Sequence, residues 1–240
     1  MHKPIYLLFI ALFFFSCRQE QPGSSVSPAA VDSTAIITGK QNTLNVGENT
    51  SYEIDSSGIL MFPLTNKTKE KKGSGYISKR EYNNYWWNII FWNSKTGAYH
   101  LLTREKILIA PNSNNSFSNE ERTVVSPPYL FYHVIAEDYN KDKVLSEEDP
   151  LYLYLSDKNG DAFRRVSPPG YHLINWKFIA SSGKLLMTLR KDSDQNKVFD
   201  DKDEIILFAM EPGKETEAKE IFPNTFKNEL KLLHYKHWGQ

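Results

Sequence analysis

Two stretches of the chain space their oxygen-bearing side chains in the same way, and each demands a tightly wound loop. The first runs Asp138-x-Asn140-x-Asp142, then Val144, Ser146 and Asp149. The second runs Asp192-x-Asp194-x-Asn196, then Val198, Asp200 and Asp203. With Asp138 and Asp192 counted as position 1, side-chain oxygens fall at positions 1, 3, 5, 9 and 12. Position 7, Val144 or Val198, has only its carbonyl to lend, and position 8 is apolar in both (Leu145, Phe199). A hard cation such as Ca²⁺ takes about 6–8 oxygen ligands at roughly 2.3–2.6 Å from a loop of about 12 residues. Charged residues make up 24% of the chain, so a single match is within reach of accident. Two matches in one register point to two calcium-type loops, 138–149 and 192–203. Mg²⁺ fits less well, since it demands octahedral geometry and keeps its waters. The plain alternative is a pair of acidic Asx-rich turns that hold no metal.

What flanks these loops is β-sequence. Apolar or alternating runs of strand length recur at 59–64, 86–92, 98–102, 106–110, 129–136, 151–155, 173–180, 184–189 and 204–210. They are rich in Tyr, Phe, Trp and Ile and are punctuated by Gly, Pro, Asn and Asp. Helical periodicity is confined to the tail, from Thr225 to about Tyr235. The expectation is an all-β fold of antiparallel strand repeats over residues 34–240, with each oxygen-rich loop joining two strands.

The oxygen spacing resembles the EF-hand loop, although that motif lies between helices. It also places Gly at position 6, where this chain has Lys143 and Lys197, and Glu at position 12, where this chain has Asp. These departures predict weak affinity. A structural role is favoured over a sensing one, because no helix pair is present to open. The strand–loop–strand setting is closer to the Asp-rich loops of β-propeller blades. Residues 151–189 in particular resemble a blade repeat of the TolB-type, WD40-like propellers. They read as a strand, the turn Asp157-Lys158-Asn159-Gly160, a strand at 162–166, a Trp-bearing strand at 174–179, and the turn Ser181-Ser182-Gly183 before a last strand. Fainter copies lie at 88–110 and 205–238. A blade takes roughly 40–50 residues, so the resemblance implies about four blades, or an open, incomplete propeller.

The amino terminus sets the expected compartment. A basic tip, Met1-His2-Lys3, precedes the apolar run 5–15, and Ser16-Cys17 follows at once. This reads as a signal peptide over residues 1–16, with an apolar run too short to span a bilayer. Cys17 is the only cysteine, so no intramolecular disulfide exists. Its place directly after a small residue resembles the lipobox of bacterial lipoproteins, although Phe14 stands where that family usually has Leu. The resemblance implies cleavage before Cys17, acylation of its sulfur, and a protein tethered to a membrane through lipid. The plain alternative is a secretory peptide with a chance cysteine. Residues 17–33 are then the lipidated cysteine and a flexible Ser/Pro/Gln-rich tether.

Little else points to chemistry. Net charge is zero, and one short basic run, 67–72, is no nucleic-acid footprint. The histidines are scattered, and His234-x-x-His237 lacks a third ligand nearby. Phosphate-loop, nucleophile-elbow and His-Glu-x-x-His signatures are missing. The densest aromatic stretch is 82–87, with Trp92 beyond it; Tyr85, Trp86 and Trp92 are candidates for stacking on a ligand such as a sugar ring. Alternation sets Trp86 and Trp87 on opposite faces, so at least one of them belongs to the core, and core packing is the stronger reading for most of these aromatics. The sequence thus favours a calcium-binding, lipid-anchored protein of the bacterial cell envelope, facing the periplasm or the outer membrane. Its expected role is a non-catalytic binding or scaffold module for a protein, peptidoglycan or glycan partner. An accessory glycan-acting enzyme and a purely structural envelope protein are the alternatives.

Overall fold

Short aromatic and β-branched runs, each stopped by turn residues, favour hairpins over longer elements. The computed structural model describes residues 51–65, 85–111, 128–214 and 217–239, which belong to one compact unit, Asn45–Gln240. The segment read as signal peptide, Cys17 and the tether lie outside the described residues. The strands are β1 (Tyr52–Glu53), β2 (Ile59–Thr65), β3 (Trp86–Asn93), β4 (Tyr99–Leu101), β5 (Leu108–Ile109), β6 (Tyr129–Ile135), β7 (Tyr152–Asp157), β8 (Arg164–Arg165), β9 (Tyr171–Ile179), β10 (Lys184–Lys191), β11 (Ile205–Met210) and β12 (Lys219–Glu220). One helix, α1 (Asn224–Trp238), closes the described chain.

All strand pairs are antiparallel. They form an eight-stranded sheet, β1-β2-β3-β5-β6-β7-β8 with β4 also on β3, and a four-stranded sheet, β12-β11-β10-β9. The fold is therefore all-β and antiparallel, as the punctuated runs predict. Among the described residues the strands do not close into a ring. The blade-like stretch 151–189 is divided, with β7 and β8 in the larger sheet and β9 and β10 in the smaller. The reason lies in pairing: β7 is taken by β6 on one side and β8 on the other, which leaves β9 to pair with β10.

The β6–β7 hairpin is buried on both faces. Alternate side chains of a strand point to opposite sides, and here each side has its own core. Leu130, Tyr132, Val134, Tyr152 and Tyr154 enter a first core with Met61, Ile89 and Phe91 of β2 and β3. Phe131, Leu153 and Leu155 enter a second, completed by Leu185, Met187 and Leu189 of β10 and Ile206, Phe208 and Met210 of β11. This double burial explains why the segments YLFYHVI and YLYL are apolar almost throughout, where a half-exposed strand alternates.

The larger sheet curls over the first core. The β7–β8 turn meets its opposite end, where Lys158 pairs with Asp55 and the Asn159 carbonyl lies 2.9 Å from His100 Nε2. The two sheets are stitched where Leu173 N–H donates to the Leu151 carbonyl at 2.8 Å. Nearby, Trp176 Nε1–H donates to His133 Nε2 at 2.8 Å. That bond requires a neutral imidazole, and burial lowers the His133 pKa to about 4. Helix α1 buries none of its side chains; Lys227 in its first turn pairs with Glu204 at 3.2 Å and Glu220 at 2.5 Å.

Gly160 offers a test of how the sheet curls. Its φ is +85°, and a Cβ there would sit 2.5 Å from the Phe91 ring. Gly97 has a similar φ of +76° with nothing within 4 Å of its would-be Cβ. Gly160→Ala is expected to cost about 2–4 kcal/mol, from strain plus overpacking. Gly97→Ala should cost only about 1 kcal/mol, from strain alone. Urea unfolding measures both, and equal losses would show that the Phe91 contact carries no energy.

Candidate metal centre

Each oxygen-rich loop joins two neighbouring antiparallel strands: 138–149 links β6 to β7, and 192–203 links β10 to β11. A connection so polar cannot fold by burial, so its backbone must be organised by its own side chains. Both loops do this with one set of bonds. The position-1 carboxylate accepts the amide of position 6: Lys143 N to Asp138 Oδ2 at 2.8 Å, Lys197 N to Asp192 Oδ2 at 3.0 Å. Position 3 accepts from position 5: Asp142 N to Asn140 Oδ1 at 2.9 Å, Asn196 N to Asp194 Oδ1 at 3.2 Å. Position 5 accepts from position 7: Val144 N to Asp142 Oδ1 at 2.8 Å, Val198 N to Asn196 Oδ1 at 2.7 Å. Position 9 accepts from position 11: Glu148 N to Ser146 Oγ at 3.2 Å, Lys202 N to Asp200 Oδ1 at 2.8 Å.

Position 12 closes each loop from beneath. Asp149 is 1% exposed and Asp203 8% exposed. Asp149 accepts from Tyr139 N at 2.8 Å and Ser146 N at 2.9 Å; Asp203 accepts from Ser193 N at 2.8 Å and Asp200 N at 3.1 Å. Positions 4 and 6 carry left-handed backbone in both loops, with φ of 67° and 72° at Lys141 and Lys143 and 60° and 66° at Gln195 and Lys197. Lysine at position 6 therefore adopts the turn that glycine would adopt more easily. A left-handed non-glycine residue costs about 1 kcal/mol, and the amide bonds to the Asx side chains offset it. The departure at position 6 is one of residue type and not of conformation.

The loops differ at position 1. Both oxygens of Asp138 are engaged, Oδ1 by Asp142 N at 3.0 Å and Oδ2 by Lys143 N. Asp192 is 7% exposed, and its Oδ2 takes the Tyr139 hydroxyl at 3.0 Å as well as Lys197 N. Its Oδ1 is buried with no hydrogen-bond partner among the described residues. Asp192, Asp194 and Asp203 each offer an oxygen, and these lie within 4.8 Å of one another. Leaving a buried carboxylate oxygen unpaired costs about 1–3 kcal/mol or more, and gathered carboxylates repel. A hard divalent cation would satisfy both, and the all-oxygen donor set suits Ca²⁺. The residues that could hold it are Asp192, Asp194, Asn196, Asp200 and Asp203, with the Val198 carbonyl. The corresponding first-loop positions are Asp138, Asn140, Asp142, Ser146 and Asp149, with the Val144 carbonyl; among the described residues only the second loop gathers three acidic oxygens within 4.8 Å of one another. Val144 and Val198 expose their side chains.

The structure also sets the two loops against each other, which the spacing alone does not reveal. Tyr139, at position 2 of the first loop, bonds Asp192 of the second and packs its ring 5.3 Å from that of Phe199. Burial and the Asp192 carboxylate raise the Tyr139 pKa. An aromatic residue between two ligand positions, where the second loop has Ser193, was the one available signal.

Of the three aromatics named for stacking, Trp86 is 6% exposed inside the first core and presents no face to a ligand. Tyr85 is turned toward Glu147 of the first loop; burial and that carboxylate push its phenol to about 12. Trp92 alone stands on the outer face of the sheet, 6.5 Å from Phe62 and opposite Tyr99 across the strand pair. Elsewhere a cleft of about 630 Å³ is lined by His100, Glu105, Tyr154, Asp161, Arg164 and Arg165 among others. Its cations are engaged: Arg164 donates to the Pro212 carbonyl at 2.8 Å, and Arg165 stacks 4.9 Å from the Tyr152 ring.

Asp149→Ala is expected to destabilise the protein by about 2–4 kcal/mol even in chelator, because the amides of Tyr139, Asn140 and Ser146 lose a charged acceptor. Asp149→Asn, which keeps one acceptor oxygen, should cost less. Urea unfolding in excess chelator measures both, and a neutral Asp149→Ala would mean that the carboxylate serves only a cation. No protein-family model, no curated protein and no solved structure matches the chain.

Proposed function

We propose that the chain is a lipid-anchored protein of a bacterial cell envelope whose β-domain binds two calcium ions and serves as a non-catalytic binding or scaffold module. The observation that carries this reading is the repeated hydrogen-bond pattern of loops 138–149 and 192–203, together with the buried, partnerless Asp192 Oδ1. The cation's role is structural. It offsets carboxylate repulsion and pins two hairpin connections that bury little apolar surface. The four-stranded meander β9–β12 supports the propeller-like part of the reading, since a blade is such a meander.

The partner face is the outward side of β2, β3 and β4. Leu60 pairs with Trp92 and Phe62 with Ile90, while Trp92 and Ile90 pair onward with Tyr99 and Leu101. Tyr99 is 78% exposed and Leu101 is exposed too. A contiguous apolar, aromatic sheet face of this kind marks an interaction site, and its Trp and Tyr suit a protein surface or the ring faces of a glycan. The mixed-charge cleft favours the second reading, an accessory glycan-acting enzyme using Glu105 or Asp161. Loss of activity on peptidoglycan fragments in Asp161→Asn would support it.

Calorimetric titration with calcium should give saturable binding of two ions per chain, abolished in the double variant Asp138→Ala, Asp192→Ala. At a hundredfold excess over Kd each site contributes about 2.7 kcal/mol, which raises Tm by roughly 5–10 °C for a unit of this size. An absence of binding at millimolar calcium reduces both loops to acidic turns. Independently, Cys17→Ser should move the protein from the membrane to the soluble fraction, because stable anchoring needs the acyl chains. Unchanged membrane association would sink the anchor.

A further inference from the structure

The two loops wind alike, yet their carboxylates are not equally provided for. In the first, Asp138 accepts amides at both oxygens, from Asp142 N and Lys143 N, and Asp149 does the same from Tyr139 N and Ser146 N. In the second, Asp194 accepts at both oxygens from the backbone and side-chain nitrogens of Asn196, and Asp203 from Ser193 N and Asp200 N. Asp192 is the exception. Its Oδ2 takes Lys197 N and the Tyr139 hydroxyl, each at 3.0 Å, while its Oδ1 is buried with no hydrogen-bond partner among the described residues. The residue is 7% exposed, and it offers an oxygen within 4.8 Å of oxygens from Asp194 and Asp203. No such triad forms at the first loop among the described residues. Nor does any ion pair among them reach Asp192, Asp194 or Asp203. Lys197 Nζ reaches instead to the Asn140 carbonyl at 3.5 Å, and Arg190 pairs with Asp201 at 3.0 Å.

We infer that the second loop is the principal cation site of the chain and that Tyr139, reaching across from the first loop, is its positioning residue. The inference rests on the calcium reading above; it ranks the two loops and gives the second a supporting residue from the first. A carboxylate held at one oxygen by two donors cannot swing freely, so its other oxygen has a set direction. Tyr139 supplies one of those donors from outside the loop. Its own place is fixed by its amide on Asp149 Oδ1 at 2.8 Å and by its ring, 5.3 Å from that of Phe199. Neither contact requires an ion in the first loop. Because these bonds stand before the cation arrives, binding has less to order, and the site is tighter than the second loop alone would make it. The first loop is then a strut for the second, whether or not it holds an ion of its own.

The test titrates the full-length chain in mild detergent, stripped by chelator, with calcium chloride in a calorimeter. Asp192→Asn is expected to abolish the tightest binding event, whereas Asp138→Asn should change its Kd by less than about twofold. Circular dichroism confirms folding, and the more exposed Asp194→Asn stands in if Asp192→Asn is misfolded. Tyr139→Phe removes the hydroxyl while keeping the ring on Phe199, and should weaken the same event about tenfold, as loss of a bond behind a metal ligand does. Terbium in place of calcium separates positioning from mere support of the loop. Its luminescence lifetimes in light and heavy water count the waters on the ion, and an Asp192 oxygen that has lost its direction is replaced by water. Tyr139→Phe is therefore expected to raise that count, and an unchanged count overturns the positioning role. Equal weakening of the tightest event by Asp138→Asn and Asp192→Asn overturns the ranking of the loops. Absence of calcium binding to the parent chain overturns the calcium reading itself.

Discussion

The antiparallel pairing of β6 with β7 is the interaction on which the rest of the molecule hangs. It is the only hairpin among the described residues whose alternate side chains feed both cores. Remove it and the first core loses Leu130, Tyr132, Val134, Tyr152 and Tyr154, while the smaller sheet loses Phe131, Leu153 and Leu155 against which to pack. A fully buried aliphatic or aromatic side chain contributes about 1.5–3 kcal/mol, so eight such residues outweigh any single ion pair on the surface. Burial on both sides also leaves the hairpin's own polar groups dependent on protein partners. Tyr132 meets this with its hydroxyl 2.8 Å from Ser156 Oγ, and Leu153 N–H with Ser167 Oγ at 2.9 Å.

A hairpin so constrained cannot tolerate a loose connection, and its connection is the first oxygen-rich loop. Asp149 solves the local problem by accepting amides from both limbs of the loop beneath its surface. The same solution recurs between β10 and β11 through Asp203. In both loops the backbone is wound by bonds internal to the loop, so the arrangement of oxygens does not wait for a cation to create it. Asp192 breaks this self-sufficiency. It retains one buried oxygen with no hydrogen-bond partner among the described residues. That unpaired oxygen lies where three carboxylates converge.

Much of this was legible in the sequence, for identifiable reasons. Runs such as WWNIIFWN and KLLMTLRK carry enough aromatic and aliphatic residues between turn signals to fix a strand locally. The tail helix also falls where its periodicity places it. The two-residue strands β1 and β12 were not legible, because each exists only through its partner: Tyr52 opposite Met61, and Lys219 opposite Ala209. The division of 151–189 between two sheets was hidden for the same reason, since strand–turn repeats read alike whichever sheet receives them. At the loops, the oxygen spacing was visible one residue at a time, and the side-chain-to-amide bonds recur at the same positions in both. The juxtaposition of the loops was not visible, nor was the burial of Trp86, since both depend on residues remote in the chain.

That juxtaposition follows from the sheets. Residue 151 directly precedes β7, just past the end of the first loop, and its carbonyl receives Leu173 N–H near the start of β9. His172 lies beside it, accepts Leu151 N–H at Nδ1 at 3.3 Å, and stacks toward Phe199 of the second loop. β9 then pairs with β10 along its length, which carries the second loop back to the same end of the molecule as the first. The stitch between the sheets and the meeting of the loops are therefore one feature seen from two sides. Whatever stiffens the loop pair also stiffens the joint between the two cores. Ordering the loops would thereby stabilise the packing of the smaller sheet on β6 and β7, far beyond the residues that supply the oxygens.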